Sequence, residues 1–224
     1  MSFTYEDKRI DSLYVDKIWH THTTSEGVYT ANVDGNWDII ISRHKGSVSV
    51  TVNGIGKEAA TVPYTSGIET IGIALKPGVF LRDMKGKDIV ETQHILSDGD
   101  TSYVKIADYT FLIPSFDSAE AFVNQLIDKG VLGVNAVVSS FSAGGATSTS
   151  ARTLRRHVSQ TTGLSPHFLH QVQRAQHATQ LLQQGMSISQ AANEAGYTDQ
   201  AHMTKSVKQL MGRTPAQIIA ASKQ

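Results

Sequence analysis

Residues 150–166 read SARTLRRHVSQTTGLSP, and residues 199–215 read DQAHMTKSVKQLMGRTP. A constant offset of 49 residues pairs Ser150 with Asp199, Leu154 with Met203, Arg156 with Lys205, Val158 with Val207, Gln160 with Gln209, Gly163 with Gly212 and Pro166 with Pro215. The correspondence is one of physical role as well as identity. Each copy opens on a side-chain oxygen able to accept a free backbone N–H of a first helical turn. Each carries an apolar pair at i and i+4, expected to be buried. Each closes on a glycine that lets a helix stop and a proline that discourages continuation in the same register. Two copies of one helical supersecondary unit are therefore expected in the last third of the chain.

The outward faces follow from helical periodicity. With Leu154 and Val158 turned inward, Arg152, Arg155, Arg156 and Ser159 point outward in the first copy. The matching positions of the second hold Ala201, Thr204, Lys205 and Lys208. A positive face on a short helix suits a phosphate-lined groove. There Arg or Lys can pair with guanine, and Thr or Ala can meet a thymine methyl. Two such helices can enter successive major-groove segments. Lys208 fits a phosphate contact and plain solvation equally well.

Upstream of the second copy, Ile188, Ala191, Ala192 and Ala195 form an apolar face before Gly196. Small residues followed by a turn glycine let a supporting helix pack closely on the next one, as a helix-turn-helix requires. The first copy has Ala143 and Ala146 at the matching offsets, but Thr147 in place of Gly196 and Ser139 in place of Ile188. Its supporting helix is expected to be weak, and 139–150, SSFSAGGATSTS, taken alone reads as a flexible linker. Between the copies, Val172, Ala175, Ala178, Leu181 and Leu182 mark one continuous helix over 168–184, ending at Gly185. Arg174 within it is expected to make a structural polar contact.

A formal net charge of zero conceals a division. Residues 1–150 carry 12 Lys/Arg against 18 Asp/Glu, whereas 151–224 carry 8 against 2. The basic segment can be drawn to a phosphate backbone that would repel the remainder. The absence of cysteine excludes disulfides, thiolate metal sites and cysteine nucleophiles. No run of about 18 apolar residues is present, and the acidic start MSFTYEDKRIDSLY has no apolar signal region. A cytoplasmic protein with no membrane partner is the expectation.

The first part reads as strands over 37–41, 47–52 and 68–75, broken at Asp34-Gly35, Asn53-Gly54 and Pro77-Gly78. Residues 103–113 add a further strand before Pro114. Asp117 and Glu120 have capping-box spacing, and Phe122, Val123, Leu126 and Ile127 give a helix up to Gly130. The resulting fold class is α+β and multidomain: a β-rich regulatory domain over 1–114, a connecting helical region over 115–135, and an all-α domain over 136–220 with two helix-turn-helix units.

Catalytic and metal chemistry finds little support. His20 and His22 fall on one face of a strand, and His44 and His94 add imidazoles, yet no carboxylate or third histidine stands at a diagnostic spacing. His167 and His170 lack the HExxH arrangement. Gly144-Gly145 is too short to cradle phosphate, and no dinucleotide fingerprint or nucleophile elbow occurs. Trp19, Trp37, Tyr64 and Phe80 are candidates to line an apolar pocket, although aromatics of β domains usually fill the core. No enzyme, no cofactor and no metal are expected.

The segments SARTLRRHV, TGLSP, SISQAANEAGY, DQAHMTKSVK and GRTPAQ, within residues 150–217, together resemble the AraC/XylS family of bacterial regulators. The resemblance implies a long helix joining two subdomains and binding to double-stranded promoter DNA. It points to Arg152, Arg155 and Arg156 in the first recognition helix and to Gln200, Ala201, Thr204 and Lys205 in the second. Val158 and Val207 stand where the family usually has a large aromatic. WHTHTT, DGNWDIII and GIALKPGVFL look like the β-rich sensory domains attached to some of these regulators. That likeness implies a small-molecule effector, a homodimer and contact with RNA polymerase as partners. An alternative reading makes the helical part a protein-interaction adaptor that does not bind DNA.

Overall fold

The structure, a computed structural model, describes residues 3–99, 102–145 and 148–222. In chain order the first part holds β1 (Phe3–Lys8), β2 (Val15–Thr23), β3 (Gly27–Ala31), β4 (Trp37–His44), β5 (Ser47–Asn53), β6 (Ala60–Tyr64), β7 (Glu69–Leu75), β8 (Val79–Leu81), α1 (Gly86–Ile89), β9 (Gln93–Gly99), β10 (Tyr103–Ile106) and β11 (Tyr109–Leu112). There follow α2 (Ala119–Asp128), β12 (Leu132–Val134), α3 (Ala136–Ser142), α4 (Ala151–Thr162), α5 (Pro166–Gln183), α6 (Ile188–Glu194), α7 (Gln200–Met211) and α8 (Pro215–Ala221). Apart from the one-turn α1 and the short β12, strands precede helices, as the α+β reading expects.

The chain divides into two compact units. One comprises Met1–Gly27, Asn36–Ile55 and Pro63–Pro166, the other Val28–Gly35, Gly56–Val62 and His167–Gln224. The first is organised by a six-stranded antiparallel sheet in the order β1-β2-β7-β4-β5-β9. Register places Ile18 opposite Ile73, Ile73 opposite Ile39 and Ile39 opposite Val52. All four are fully buried, so one row of β-branched side chains crosses four strands and anchors the core. Burying each contributes about 1.5–3 kcal/mol. Trp37 closes the end of this layer, its indole N–H donating to the Val79 carbonyl at 3.0 Å.

Four local expectations are corrected. Residues 103–113 form a hairpin, not one strand: Ala107 adopts φ 52° and reverses the chain between β10 and β11. The helix after Pro114 has Ser118 as N-cap, and its side chain makes no cap bond. Ser118 instead exchanges hydrogen bonds with Ser115, so the Asp117–Glu120 capping box does not form. Its apolar face is as expected, with Phe122, Val123 and Leu126 buried. Residues 139–142 are the end of α3, not linker; Asn135 caps that helix by accepting from Val138 N–H, and Val138 and Phe141 are its buried face. Finally, Leu154 is half-buried, so of the first i, i+4 pair Val158 alone is fully enclosed.

Candidate nucleic-acid interface

The two repeated segments fold alike. Ser150 accepts from the Thr153 N–H at 3.2 Å and begins α4; Asp199 accepts from the His202 N–H at 2.8 Å and begins α7. Both helices are 12 residues long and end on a left-handed glycine, Gly163 at φ 72° and Gly212 at φ 68°. Pro166 and Pro215 start the next helices, where a missing N–H costs nothing. Val158 and Val207 are both fully buried, so the small side chains at these positions still face the interior.

α4 lies in the first compact unit. Arg152, Arg155, Arg156 and Ser159 are all exposed on it, with no acidic residue in its first turn. Its opposite side is tied down by Asn135, whose amide nitrogen lies 3.0 Å from His157 Nδ1 and 2.9 Å from Thr161 Oγ1. Asn135 therefore caps α3 and grips α4 at once. At the helix end, Gly163 meets Gly86 of α1 so closely that a Cβ on Gly163 would sit 2.5 Å from the Gly86 carbonyl oxygen.

α3 and α4 are separated by eight residues, 143–150, whereas α6 and α7 are separated by five, 195–199. The supporting helix of the first unit thus lies three residues further upstream than the constant offset implies. Ala143 is its exposed C-cap; Ala146 and Thr147 lie outside the described residues.

The second unit is more conventional. Ser187 and Gln190 form a capping box at the start of α6, and Ala191, Ala192 and Ala195 are buried. Gly196, at φ 72°, makes the turn that small residues and glycine signalled. On α7, Gln200, Ala201, Lys205 and Lys208 are exposed and Thr204 is half-buried, while Met203, Val207, Leu210 and Met211 face inward. Arg174 of α5 donates to the Gly196 carbonyl at 3.2 Å, and its guanidinium lies 4.7 Å from the Tyr197 ring centre. Tyr197 in turn donates to Ser206 Oγ on α7 at 3.1 Å and meets the His202 ring edge-on at 5.2 Å. Arg174 makes the structural contact expected of it. Asn135 and Tyr197 were not singled out from the sequence, although Tyr197 directly follows the turn glycine.

Of the histidine candidates, His20, His22 and His44 come together at one open cavity, and His94 is not among its lining residues. His20 lies between Glu6 at 2.7 Å and Glu69 at 3.2 Å, an ion-pair setting on the sheet surface. His22 and His44 line an open cavity of about 500 Å³ together with His20, Arg43, Lys45 and Glu69. His94 bonds the Asp88 carbonyl. No group of three metal-binding side chains occurs among the described residues, and no described helix is long and apolar enough to cross a membrane. Trp19 covers Gly72, Phe80 covers Gly133, Tyr64 covers Gly27 and Trp37 is core, so the four aromatics line no common pocket.

Residues 145–221 match the family model HTH_18, described as a helix-turn-helix domain. The match spans α4 to α8. No curated protein matches the chain. Among solved structures, ToxT from Vibrio cholerae O395 is 11% identical, with 98% of this chain and 97% of that one covered and a TM-score of 0.45. ToxT from the same source bound to (E)-4-(8-methylnaphthalen-1-yl)but-3-enoic acid is 9% identical over 99% and 100% of the two chains, with a TM-score of 0.47. The cationic face of α4 and most of the mixed face of α7 are exposed.

Proposed function

We propose that the chain is a transcriptional regulator of the AraC/XylS type that reads promoter DNA with α4 and α7 inserted in the major groove, residues 136–220 acting as the DNA-binding domain. Arg152, Arg155, Arg156 and Ser159 face one segment of the duplex, and Gln200, Ala201, Thr204, Lys205 and Lys208 face the other. The observation that carries this reading is the pair of helices with the same caps, each leaving its polar face exposed. The three arginines give the first helix the stronger phosphate attraction, while the fewer charges of α7 leave more of its surface to base-edge contacts. Residues 1–114 supply control in response to a small molecule, through its unequal affinity for DNA-competent and DNA-incompetent conformations. A homodimer and contact with RNA polymerase complete the partners.

Selection of full-length protein on a random duplex library tests the reading. Two sequence boxes about one helical turn apart are expected. Arg156→Ala should weaken the complex and lower its salt dependence. Recovery of no enriched sequence, with retention of an acidic protein partner in competition, would favour the adaptor alternative.

A further inference from the structure

An α-helix leaves its last four carbonyls without intrahelical donors. In α7 these belong to Lys208, Gln209, Leu210 and Met211. Gly212 N–H serves the first, at 3.0 Å. The next two are served from far away in sequence: Ala59 N–H donates to Gln209 at 2.7 Å, and Val33 N–H donates to Leu210 at 2.8 Å. Both donors belong to the segments Val28–Gly35 and Gly56–Val62, which lie within the same compact unit as α5 to α8. The first segment is tied to α5 as well, since Gln176 Nε2 donates to the Asp34 carbonyl at 3.1 Å. A Cβ on Gly212 would overlap the Thr30 methyl and lie 3.1 Å from Ala59 Cβ, so the approach depends on glycine.

We infer that residues 28–35 and 56–62 are positioning elements for the second recognition helix: they complete its C-terminal end, and DNA reading by α7 depends on them. They connect β2 to β4 and β5 to β7, so each is continuous at both ends with strands of the six-stranded sheet. A displacement in those strands therefore reaches α7 through the backbone, without passing through the connection between α4 and α5. The inference rests on the reading of α7 as a DNA-contacting helix.

The test uses full-length protein on a duplex carrying both selected boxes, with affinity for each box read from footprint titrations. Lys205→Ala tests the underlying reading; if it leaves both boxes unchanged, α7 is not a reading helix and the inference falls with it. Ala59→Pro removes one donor and should weaken the α7 box about fivefold to tenfold, leaving the α4 box within about twofold. Gly212→Ala should act on the same box, and Thr30→Ala in the same chain should restore part of the loss by removing the overlapping methyl. That rescue keeps the test valid if the proline variant fails to fold. An α7 box unaffected by both substitutions in folded protein, both boxes weakening in step, or no recovery in the double variant would overturn the inference while Lys205→Ala still upheld the reading.

Discussion

Gly163→Ala separates two demands on one residue, and Gly130→Ala supplies the reference. Both glycines belong to the sheet-containing unit and both have positive φ near helix ends, 72° at Gly163 and 62° at Gly130. A Cβ on Gly130 meets no atom within 4 Å. That substitution should cost only left-handed strain, about 1 kcal/mol. At Gly163 the same strain is joined by overlap with the Val90 side chain and by approach to 2.5 Å of the Gly86 carbonyl oxygen, which is backbone and cannot rotate aside. Forcing an atom into such a contact costs a further 1–3 kcal/mol or so, giving about 2–4 kcal/mol in total. Urea unfolding followed by tryptophan fluorescence is a suitable assay, because the chain's two tryptophans, Trp19 and Trp37, both lie in this unit. The midpoint should fall further for Gly163→Ala at an unchanged denaturant slope. Losses equal within about 0.5 kcal/mol would show that α1 does not press on the end of α4, and the reasoning would fail.

Further outcomes follow from the same geometry. Ser150→Ala and Asp199→Ala each remove a cap bond and should lower stability by about 1 kcal/mol, read by thermal unfolding, with Asp199→Asn close to wild type. Arg174→Ala removes both the bond to Gly196 and the stacking on Tyr197; a loss of about 1–2 kcal/mol is expected, and Arg174→Lys should recover less than half of it. Arg155→Ala should reduce the slope of log affinity against log salt by about 0.9 if its partner is a phosphate, whereas an unchanged slope would place the residue in solvent.

What could be read in advance was what depends on neighbours in sequence. The caps of α4 and α7, their left-handed glycines and the buried face of α7 need only residues within a turn or two, and they were found at the expected numbers. The alternation in β4 was equally plain because one face of that strand is buried, whereas β7, buried on both faces from Ile71 to Leu75, showed as an apolar run. The edges of the sheet were not: β1 has no buried residue, so no alternation marks it. β3 and β6 are short and largely exposed, and belong to a two-stranded ribbon that no periodicity announces. α3 was missed for a different reason. The fixed offset directed attention to Ala143 and Ala146, while Val138 and Phe141, three apart and slightly upstream, carry the burial.

The two capping glycines show where such local reading ends. A glycine after a helix is accounted for by positive φ alone, and nothing nearby in sequence asks for more. Yet each is also a place of close approach, Gly163 to Gly86 and Val90 in one unit and Gly212 to Thr30 and Ala59 in the other. The same residue type meets both needs, so the second is invisible behind the first. Its consequence is directional: residues from the first 90 positions touch the C-terminal ends of both α4 and α7, while the cationic and polar faces stay exposed. On the proposed reading of α4 and α7, a signal in the N-terminal residues therefore has a route to each helix that leaves its DNA-facing residues unoccupied.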